Sequence, residues 1–297
     1  MRDDTVRSGM VAIVGPPNAG KSTLLNALLG QKISIVTPKP QTTRNRIVGI
    51  LNGPDYQIIM LDTPGLHKPG KPLNQEMVKI AAATLSEVDV ILFLVDSSLP
   101  VPKKQDQAVE YLSGAASPAI LALNKIDLLN REEILPIIEL YRNVYPFAAI
   151  IPISALMHIG TDVLLQELLK LLPTGPRLYP EDIPTDATER FIVSEIIREK
   201  IFLLTGEEIP YASAVLIDSF REDEEKSLVT IHATIIVEKP SQKAIIIGQK
   251  GSKLRDIGKR SRLDIEKLLS QRVLLKLWVK VHKNWSRDVR FIRDLDL

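Results

Sequence analysis

The feature that most constrains this chain is a glycine-rich loop between a short apolar run and a helical pattern. The run Met10–Gly15 leads into Gly-Pro-Pro-Asn-Ala-Gly-Lys-Ser at positions 15–22, which matches the G-x-x-x-x-G-K-[ST] pattern. Leucines at helical spacing follow at Ser22–Leu29. A loop of this kind presents backbone N–H groups to a phosphate at the start of a helix. The fold is therefore expected to begin with a buried strand that delivers the loop to a helix.

Each position of this loop has a predicted role. Pro16 and Pro17 have no N–H, so the donors to a phosphate must come from Asn18 onward. Lys21 can reach the terminal phosphates, and the hydroxyl of Ser22 can bind Mg²⁺. The predicted nucleotide-binding residues of the loop are Gly15, Asn18, Ala19, Gly20, Lys21, Ser22 and Thr23.

An acidic residue closes the second of two later strand patterns. Asp62 ends the run Gln57–Asp62 and is followed by Thr63, Pro64 and Gly65. A carboxylate at a strand end beside a phosphate loop can hold Mg²⁺, and the N–H of a glycine can approach a γ-phosphate closely. All four residues from Asp62 to Gly65 are therefore predicted to belong to the nucleotide site.

A polar segment lies between the phosphate loop and Asp62. A hydroxyl there can complete the Mg²⁺ coordination while the γ-phosphate is present and then release it, and the sequence does not choose between Thr42 and Thr43. The predicted Mg²⁺ ligands are Ser22, Asp62 and one of these two threonines. The predicted switch residues are Gln41, Thr42, Thr43, Arg44, Leu66 and His67.

Selection of the base is predicted for Asn124-Lys-Ile-Asp127, which follows an apolar run. The carboxylate of Asp127 can accept the N1–H and the 2-amino group of guanine, and adenine has neither donor there, so the site should discriminate strongly. Lys125 can lie over the loop, and Asn124 can tie loops together. A backbone N–H near Ser154 can add a contact to guanine O6. The predicted base-binding residues are Asn124, Lys125, Asp127, Ser154, Ala155 and Leu156.

Strand and helix patterns alternate in the first half of the chain. The runs Val88–Asp96, Ala119–Asn124 and Ala148–Ser154 are apolar throughout, as expected of strands buried on both faces of a sheet. This order predicts an α/β fold with a doubly wound, mostly parallel sheet over residues 1–173. A proline-rich linker is predicted at 174–186. An α-β-β-α-α-β order then predicts a small α+β domain over 187–297.

Charge is distributed very unevenly. Residues 239–293 carry 16 Lys and Arg against four Asp and Glu, a net charge of +12, whereas residues 181–238 have a net charge of −9. Such a basic segment favours a polyanion as partner, the alternative being a solvated, lysine-rich helix face. Two glycines within the segment let the chain turn tightly against phosphates. The residues predicted to contact the polyanion are Lys243, Ile247, Gly248, Gln249, Lys250, Gly251, Lys253 and Arg255.

Two further expectations concern this second domain. The groove beside the loop at 248–251 is expected to be lined by the strand Leu228–Glu238 and its apolar neighbours. Trp278 is expected to pack under a C-terminal helix, although exposure for base stacking is the alternative.

The motifs GPPNAGKS, QTTR, DTPG, NKID and SAL occur in an order that resembles the Ras-like translation-factor class of GTPases. With Tyr179-Pro-Glu-Asp182 and the G-x-x-G loop, nearly the whole chain resembles the Era-like family of bacterial GTPases. The resemblance implies a six-stranded, mostly parallel sheet with one antiparallel strand, followed by a type II KH domain. In a KH domain the G-x-x-G loop clamps about four nucleotides of RNA.

The same resemblance implies a function. It implies a slow GTPase that uses GTP, GDP and Mg²⁺, binds the 3′ end of 16S ribosomal RNA and acts in assembly of the small (30S) subunit, with a possible link to growth and cell-cycle control. Leu66 stands where Ras has a water-orienting glutamine, which predicts slow intrinsic hydrolysis. By the same resemblance, Asn18 is expected to help bind K⁺. A cytoplasmic monomer with peripheral contact to the inner face of the cell membrane is expected.

Composition excludes several other classes. The chain has no cysteine, which rules out disulfides, thiolate zinc sites and a cysteine nucleophile. Its apolar runs are too short to cross a bilayer, and its first residues show no secretory signal. An RNA-modifying enzyme controlled by GTP and a membrane or division GTPase remain as alternatives. The single phosphate loop excludes a double GTPase.

Overall fold

The computed structural model describes residues 6–40, 42–65, 83–99, 109, 112, 114–206, 208–288 and 291. The chain divides into two compact units. The first comprises Met1–Ser34 and Pro40–Asp186, and the second comprises Ile35–Lys39 and Ala187–Leu297. The short segment 35–39, which the sequence placed in the first domain, is thus grouped with the second.

The first unit is built on one sheet. Its strands are β1 (Val6–Val14), β2 (Ile47–Gly53), β3 (Tyr56–Asp62), β4 (Val90–Asp96), β5 (Ala119–Asn124), β6 (Ala149–Pro152) and β7 (Thr174–Gly175). The strand order is β2-β3-β1-β4-β5-β6, and β7 pairs antiparallel with the start of β1. Of the other pairs only β2 and β3 run antiparallel. The expected six-stranded sheet is confirmed, and β7 extends it.

Burial explains why the sheet forms from these segments. Every residue of β4 and β5 is buried, as their unbroken apolar runs predicted. The described helices of this unit are α1 (Lys21–Leu29), α2 (Arg131–Arg142) and α3 (Thr161–Leu171). No described helix of the chain is long and apolar enough to cross a membrane. Parallel strands with helices between them place their carboxyl ends, and the loops that follow, at one edge of the sheet.

Residues 174–186, called here the edge segment, lie within the first unit rather than forming a free linker. The guanidinium of Arg177 donates to the carbonyls of Gly53 and Tyr56 at 2.9 and 3.0 Å. The side chain of Gln57 accepts from the N–H groups of Leu178 and Tyr179 at 2.6 and 2.9 Å. Prolines stiffen the segment, and these contacts fix it to the hairpin of β2 and β3.

The edge segment also covers β2, which stands at the end of the sheet. The N–H of Ile50 donates to the carbonyl of Pro184 at 2.8 Å, and the hydroxyl of Thr185 donates to the carbonyl of Val48 at 2.6 Å. Backbone groups of an edge strand are otherwise open to pairing with another chain.

The second unit has the predicted α-β-β-α-α-β order. Its elements are α4 (Glu189–Leu204), β8 (Ser213–Asp223), β9 (Leu228–Val237), α5 (Pro240–Ile247), α6 (Ser252–Leu269) and β10 (Arg272–Val281). The sheet order is β10-β9-β8, with β10 parallel and β8 antiparallel to β9. Alternate residues of β9, among them Ile231 and Ile235, pack with Ile257 and Ile265 of α6 in the core. The three helices therefore cover one face of the sheet.

The segment 35–39 is anchored to α4 within the second unit. The ammonium of Lys39 donates to the carbonyl of Phe202 at 2.6 Å and to that of Thr205. The N–H of Val36 donates to Oε1 of Glu199 at 3.1 Å. A cation at the last carbonyls of a helix satisfies groups that have no partner inside the helix.

We expect Arg177→Ala to destabilise the protein by about 2 kcal/mol, because it removes charged hydrogen bonds to several carbonyls. Arg142→Ala is the matched control, since the Arg142–Glu139 pair has side chains 67% and 64% exposed and contributes little. Chemical denaturation followed by circular dichroism measures both. Equal stability of the two variants would mean that the edge segment is not held by these contacts.

Candidate nucleotide site and nucleic-acid surface

The phosphate loop connects β1 to α1, as its sequence predicted. Gly20, before the first turn of α1, has a φ of 99°, in the left-handed region that favours glycine. A Cβ at this position would lie 2.3 Å from Nδ2 of Asn124. That amide donates to the carbonyl of Ala19 at 2.7 Å, and its oxygen accepts from the N–H of Ala155 at 2.9 Å. Asn124 thus joins the phosphate loop to both base loops.

Lys21 is the buried cation of the site. Its ammonium donates to the carbonyls of Gly15 and Pro16 at 3.3 and 3.2 Å, and only 7% of the residue is exposed. Burial lowers the pKa of Lys21 to about 8, and the nearby carboxylate of Asp62 opposes that shift. The ammonium is therefore folded over its own loop, where a phosphate can replace the two carbonyls.

Asp62 lies fully buried at the end of β3, beside Ile13 of β1 in the parallel register. Its Oδ2 accepts from the hydroxyls of Ser22 at 2.6 Å and Ser34 at 2.9 Å. Burial raises the pKa of Asp62, against the opposing effects of Lys21 and the hydroxyl donors. Its Oδ1 is buried and has no hydrogen-bond partner among the described residues.

These groups fit a hard divalent cation. Mg²⁺ prefers carboxylate and hydroxyl oxygens, and the unpaired Oδ1 of Asp62 is an acceptor that needs a positive partner. The hydroxyl of Thr43 lies 2.9 Å from that of Ser22, so Thr43 belongs to this cluster. Ser22, Thr43 and Asp62 are the residues that would hold the metal. Ser34 was not foreseen, because no motif marks it.

Residues after Asp62 approach the phosphate loop from the other side. The hydroxyl of Thr63 donates to the carbonyl of Ile13 at 2.9 Å. A Cβ at Gly65 would lie 3.0 Å from the backbone of Pro17, so only glycine leaves this close approach free of strain. The backbone of Gly65 is therefore placed against the loop that would hold the phosphates.

The base loops meet around Asp127. The hydroxyl of Ser154 donates to Oδ1 of Asp127 at 2.5 Å, which orients an otherwise exposed carboxylate. The ammonium of Lys125 pairs with Asp96 at 2.5 Å. Asp96 was not foreseen, although a carboxylate at the end of the buried strand β4 was a usable signal. The arrangement can offer a carboxylate to two adjacent N–H donors of a base.

The remaining predicted residues fall into two groups. Gln41, Leu66 and His67 lie outside the described residues. The others are described. Asn18 and Leu156 are exposed, Thr23 is half-buried, and the buried ones are Ala19, Thr42, Arg44 and Pro64. Leu156 is 70% exposed, so only its backbone fits the predicted base contact.

The G-x-x-G loop lies between α5 and α6, as predicted. Gly248 has a φ of 71°, and a Cβ there would lie 2.8 Å from Cβ of Lys253. Gly251, with a φ of 75°, precedes the first residue of α6. Lys250 and Arg255 are exposed beside it. The backbone and the cations can therefore face a phosphate chain together.

A groove of about 490 Å³ opens beside this loop. It combines cations of α6 with leucines of β10, and its lining residues are Gly251, Leu254, Arg255, Gly258, Lys259, Arg262, Leu275 and Leu277. The expectation that the strand at 228–238 lines the groove is wrong, because the strand residues that line it belong to β10, an edge strand, whereas β9 lies in the middle of the sheet. Lys259 and Arg262 were not foreseen, although their helical spacing from Arg255 was a usable signal.

The expectation that Trp278 is packed is also wrong. Trp278 is 48% exposed, whereas Trp285 is fully buried and donates through Nε1 to the carbonyl of Ala212 at 3.0 Å. Alternation along β10 turns Trp278 away from the helices. Trp285 packs with Ala214 and Ile236, so it covers a different part of that face of the sheet.

Comparison with known proteins identifies both units. A family model described as a 50S ribosome-binding GTPase matches residues 10–125, and a KH domain model matches residues 208–286. GTPase Era of Syntrophus aciditrophicus is 50% identical over 288 residues, covering 97% of this chain and 94% of that protein. GTPase Era of Geobacter metallireducens is 50% identical over 295 residues, covering 99% of each.

Solved structures agree over nearly the full length. A point variant of Era from Aquifex aeolicus bound to GDP and AlF4⁻ superposes with a TM-score of 0.94 at 42% identity, covering 98% of this chain and 99% of that one. A structure of Era in complex with MgGDPNP and nucleotides 1506–1542 of 16S ribosomal RNA gives the same TM-score and identity, covering 98% of each chain.

The depressed pKa of Lys21 predicts a pH effect on nucleotide binding. Phosphates favour the protonated ammonium and raise its pKa, so binding at pH 8.5 should take up a proton, and GDP affinity should fall as pH rises from 8 to 9. Calorimetry in two buffers of different ionisation enthalpy measures the uptake. Lys170→Ala, an exposed lysine of α3, should leave it unchanged. Binding without proton uptake at pH 8.5 would show that Lys21 is already fully charged.

Proposed function

The chain belongs to the Era family of GTPases, and we propose that GTP in its first unit controls how tightly its second unit binds the 3′ end of 16S ribosomal RNA during assembly of the small ribosomal subunit. The enzyme converts GTP and water to GDP and phosphate. Its relatives at 50% identity and the complex of Era with MgGDPNP and a 16S fragment support this proposal.

The nucleotide site supplies the parts that hydrolysis of GTP needs. Lys21 is a buried cation at the phosphates, and Ser22, Thr43 and Asp62 would hold Mg²⁺. When bound, Mg²⁺ neutralises charge on the β- and γ-phosphates. Thr43 contributes only while its segment is in place, which makes the segment responsive to the nucleotide.

Selection of guanine rests on Asp127. Its carboxylate accepts two N–H groups from guanine, and Ser154 holds it in position at 2.5 Å. ATP would leave this carboxylate without its two donors, and a site of that kind discriminates by about 10⁴–10⁵. Lys125 is held by Asp96 and not by Asp127, so Asp127 stays available to the base.

The path of the chain after Ser34 is the observation that supports control of the second unit by the nucleotide site. Ser34 donates its hydroxyl to Asp62 in the nucleotide site. The next residues, 35–39, belong to the second unit, where Lys39 holds carbonyls at the end of α4. Asp62 is therefore hydrogen-bonded to Ser34, the residue that directly precedes a segment grouped with the second unit.

The RNA surface combines the G-x-x-G loop with the groove between α6 and β10. Arg255, Lys259 and Arg262 provide charge on one side, and Leu275 and Leu277 provide an apolar wall for bases. The net charge of +12 over residues 239–293 supports a polyanionic partner. We also propose a cytoplasmic monomer whose basic segment touches the membrane peripherally, since anionic lipid attracts lysine and arginine clusters.

The central experiment measures affinity for the 16S fragment 1506–1542 with GDP and with a non-hydrolysable GTP analogue. We expect the two nucleotides to differ by about 5- to 150-fold in RNA affinity, a typical coupling between two sites. In Asp127→Asn, xanthosine nucleotides should take over this control, because the amide suits the carbonyl that replaces the guanine amino group. In the native protein, xanthosine nucleotides should not change the RNA affinity.

Two outcomes would contradict the proposal separately. Equal RNA affinity with both nucleotides would remove the control while leaving a GTPase that binds RNA. Unchanged affinity in Gly248→Asp would remove the G-x-x-G loop as the RNA clamp, since an acidic side chain there repels phosphates.

The groove gives a second prediction. Gly258→Leu should weaken binding of the same fragment at least tenfold, because its side chain enters the groove. Gly258→Ala is the matched control: its Cβ would lie 3.5 Å from Leu277, an ordinary contact, and alanine favours the helix. Fluorescence anisotropy of labelled RNA measures both. Equal weakening by both variants would point to the helix rather than to the groove.

Asn18 leads to a prediction about K⁺, which we propose as a further cofactor. Leu66 cannot orient a water as glutamine does, so intrinsic hydrolysis is expected to be slow and open to stimulation by a cation. We expect faster GTP hydrolysis in KCl than in NaCl, and loss of the difference in Asn18→Ala. Phosphate release assays at matched ionic strength measure it. Equal rates in both salts would exclude a K⁺ site at Asn18.

A further inference from the structure

We propose a second RNA contact on the sheet of the second unit, at which Trp278 stacks an unpaired base of the RNA that the G-x-x-G loop holds. The site is the outer face, defined as the face of β8, β9 and β10 turned away from α4, α5 and α6. The proposal rests on the proposed RNA-binding function and extends it to a surface outside the groove.

Exposure sets Trp278 apart from the other tryptophan. It is 48% exposed on β10, and its neighbour two residues earlier on the same face, Lys276, is exposed as well. The ring of His232 meets it at 5.2 Å and 67°, an edge-to-face contact. This contact orients the indole, which leaves about half of the side chain open to a ligand.

The charges around Trp278 match a phosphate chain. Alternation places three cations on the outer face of β10, and these are Arg272, Lys276 and Lys280. Lys276 and Lys280 flank Trp278, one two residues before it and one two residues after it. Asp218, an acidic residue at the irregularity of β8, lies on the same outer face, where its carboxylate accepts from the hydroxyl of Thr234 at 2.7 Å. An exposed aromatic ring between cations is the arrangement that binds single-stranded nucleic acid without strong sequence preference.

The position of β10 makes this face reachable from the groove. β10 is an edge strand of the sheet, with Leu275 and Leu277 on the groove side and Lys276 and Trp278 on the outer side. An RNA strand leaving the groove therefore has to cross only the edge of one strand to reach Trp278. Single-stranded RNA is flexible enough to follow such a path.

Intrinsic fluorescence tests the proposal directly, because the chain has two tryptophans and the other, Trp285, is fully buried. The probe is the 16S fragment 1506–1542, titrated into the GTP-analogue form of the full chain. We expect quenching of the native emission and no quenching in Trp278→Phe. Trp278→Ala should weaken binding by about 5- to 100-fold, and Trp278→Phe, which retains a ring, should weaken it less.

Charge provides an independent measurement. Lys276→Ala and Lys280→Ala should each reduce the slope of log affinity against log salt by about 0.7, as expected for one lost phosphate contact. Lys170→Ala, on α3 of the first unit, should leave that slope unchanged.

The outcomes separate this proposal from the function on which it rests. RNA binding with no change in Trp278 emission and full affinity in Trp278→Ala would overturn the second contact while leaving the groove as the RNA site. No binding of the fragment to the native protein would overturn both. A blue shift with phosphatidylglycerol vesicles, and none with RNA, would assign the outer face to the membrane instead.

Discussion

Two opposite charges held out of water, those of Lys21 and Asp62, are the constraint on which the nucleotide site of the first unit depends. Neighbouring parallel strands bring them together, since Lys21 begins α1 directly after the loop that follows β1, and Asp62 ends β3. Burying either charge alone would be costly, and the pair is stabilised only by good hydrogen bonds around it. Backbone carbonyls satisfy the ammonium, and hydroxyls satisfy half of the carboxylate. A triphosphate would give the ammonium of Lys21 an oppositely charged partner, and a divalent cation would give one to Oδ1 of Asp62.

Much of this was available from the sequence, because the relevant patterns are local. The phosphate loop, the strand ends at Asp62 and Asn124 and the alternation along β9 each follow from residues near one another in the chain. The place of Thr43 in the cluster was not available, because it depends on which hydroxyls approach Ser22 in space. Ser34 was missed for the same reason.

The second unit shows where sequence reasoning failed and why. Alternation along β10 is clear, but it does not say which strand forms the edge of a three-stranded sheet. Because β10 lies at an edge, its residues Leu275 and Leu277 line the groove in place of β9, and Trp278 is exposed on the outer face. Prolines after residue 172 predicted a stiff segment, but the hydrogen bonds of Arg177 and Gln57 that hold it depend on tertiary position alone.

The edge segment has a consequence for synthesis of the chain. β2 is made well over a hundred residues before Pro184 and Thr185, the groups that occupy its outer edge. Domains fold from the N-terminus as they emerge, so a nascent sheet displays that strand uncovered until translation has moved past the first unit. During this interval a neighbouring nascent chain could pair with it and nucleate an aggregate. Slow translation just before residue 174 would lengthen the vulnerable period, whereas an early chaperone encounter would shorten it.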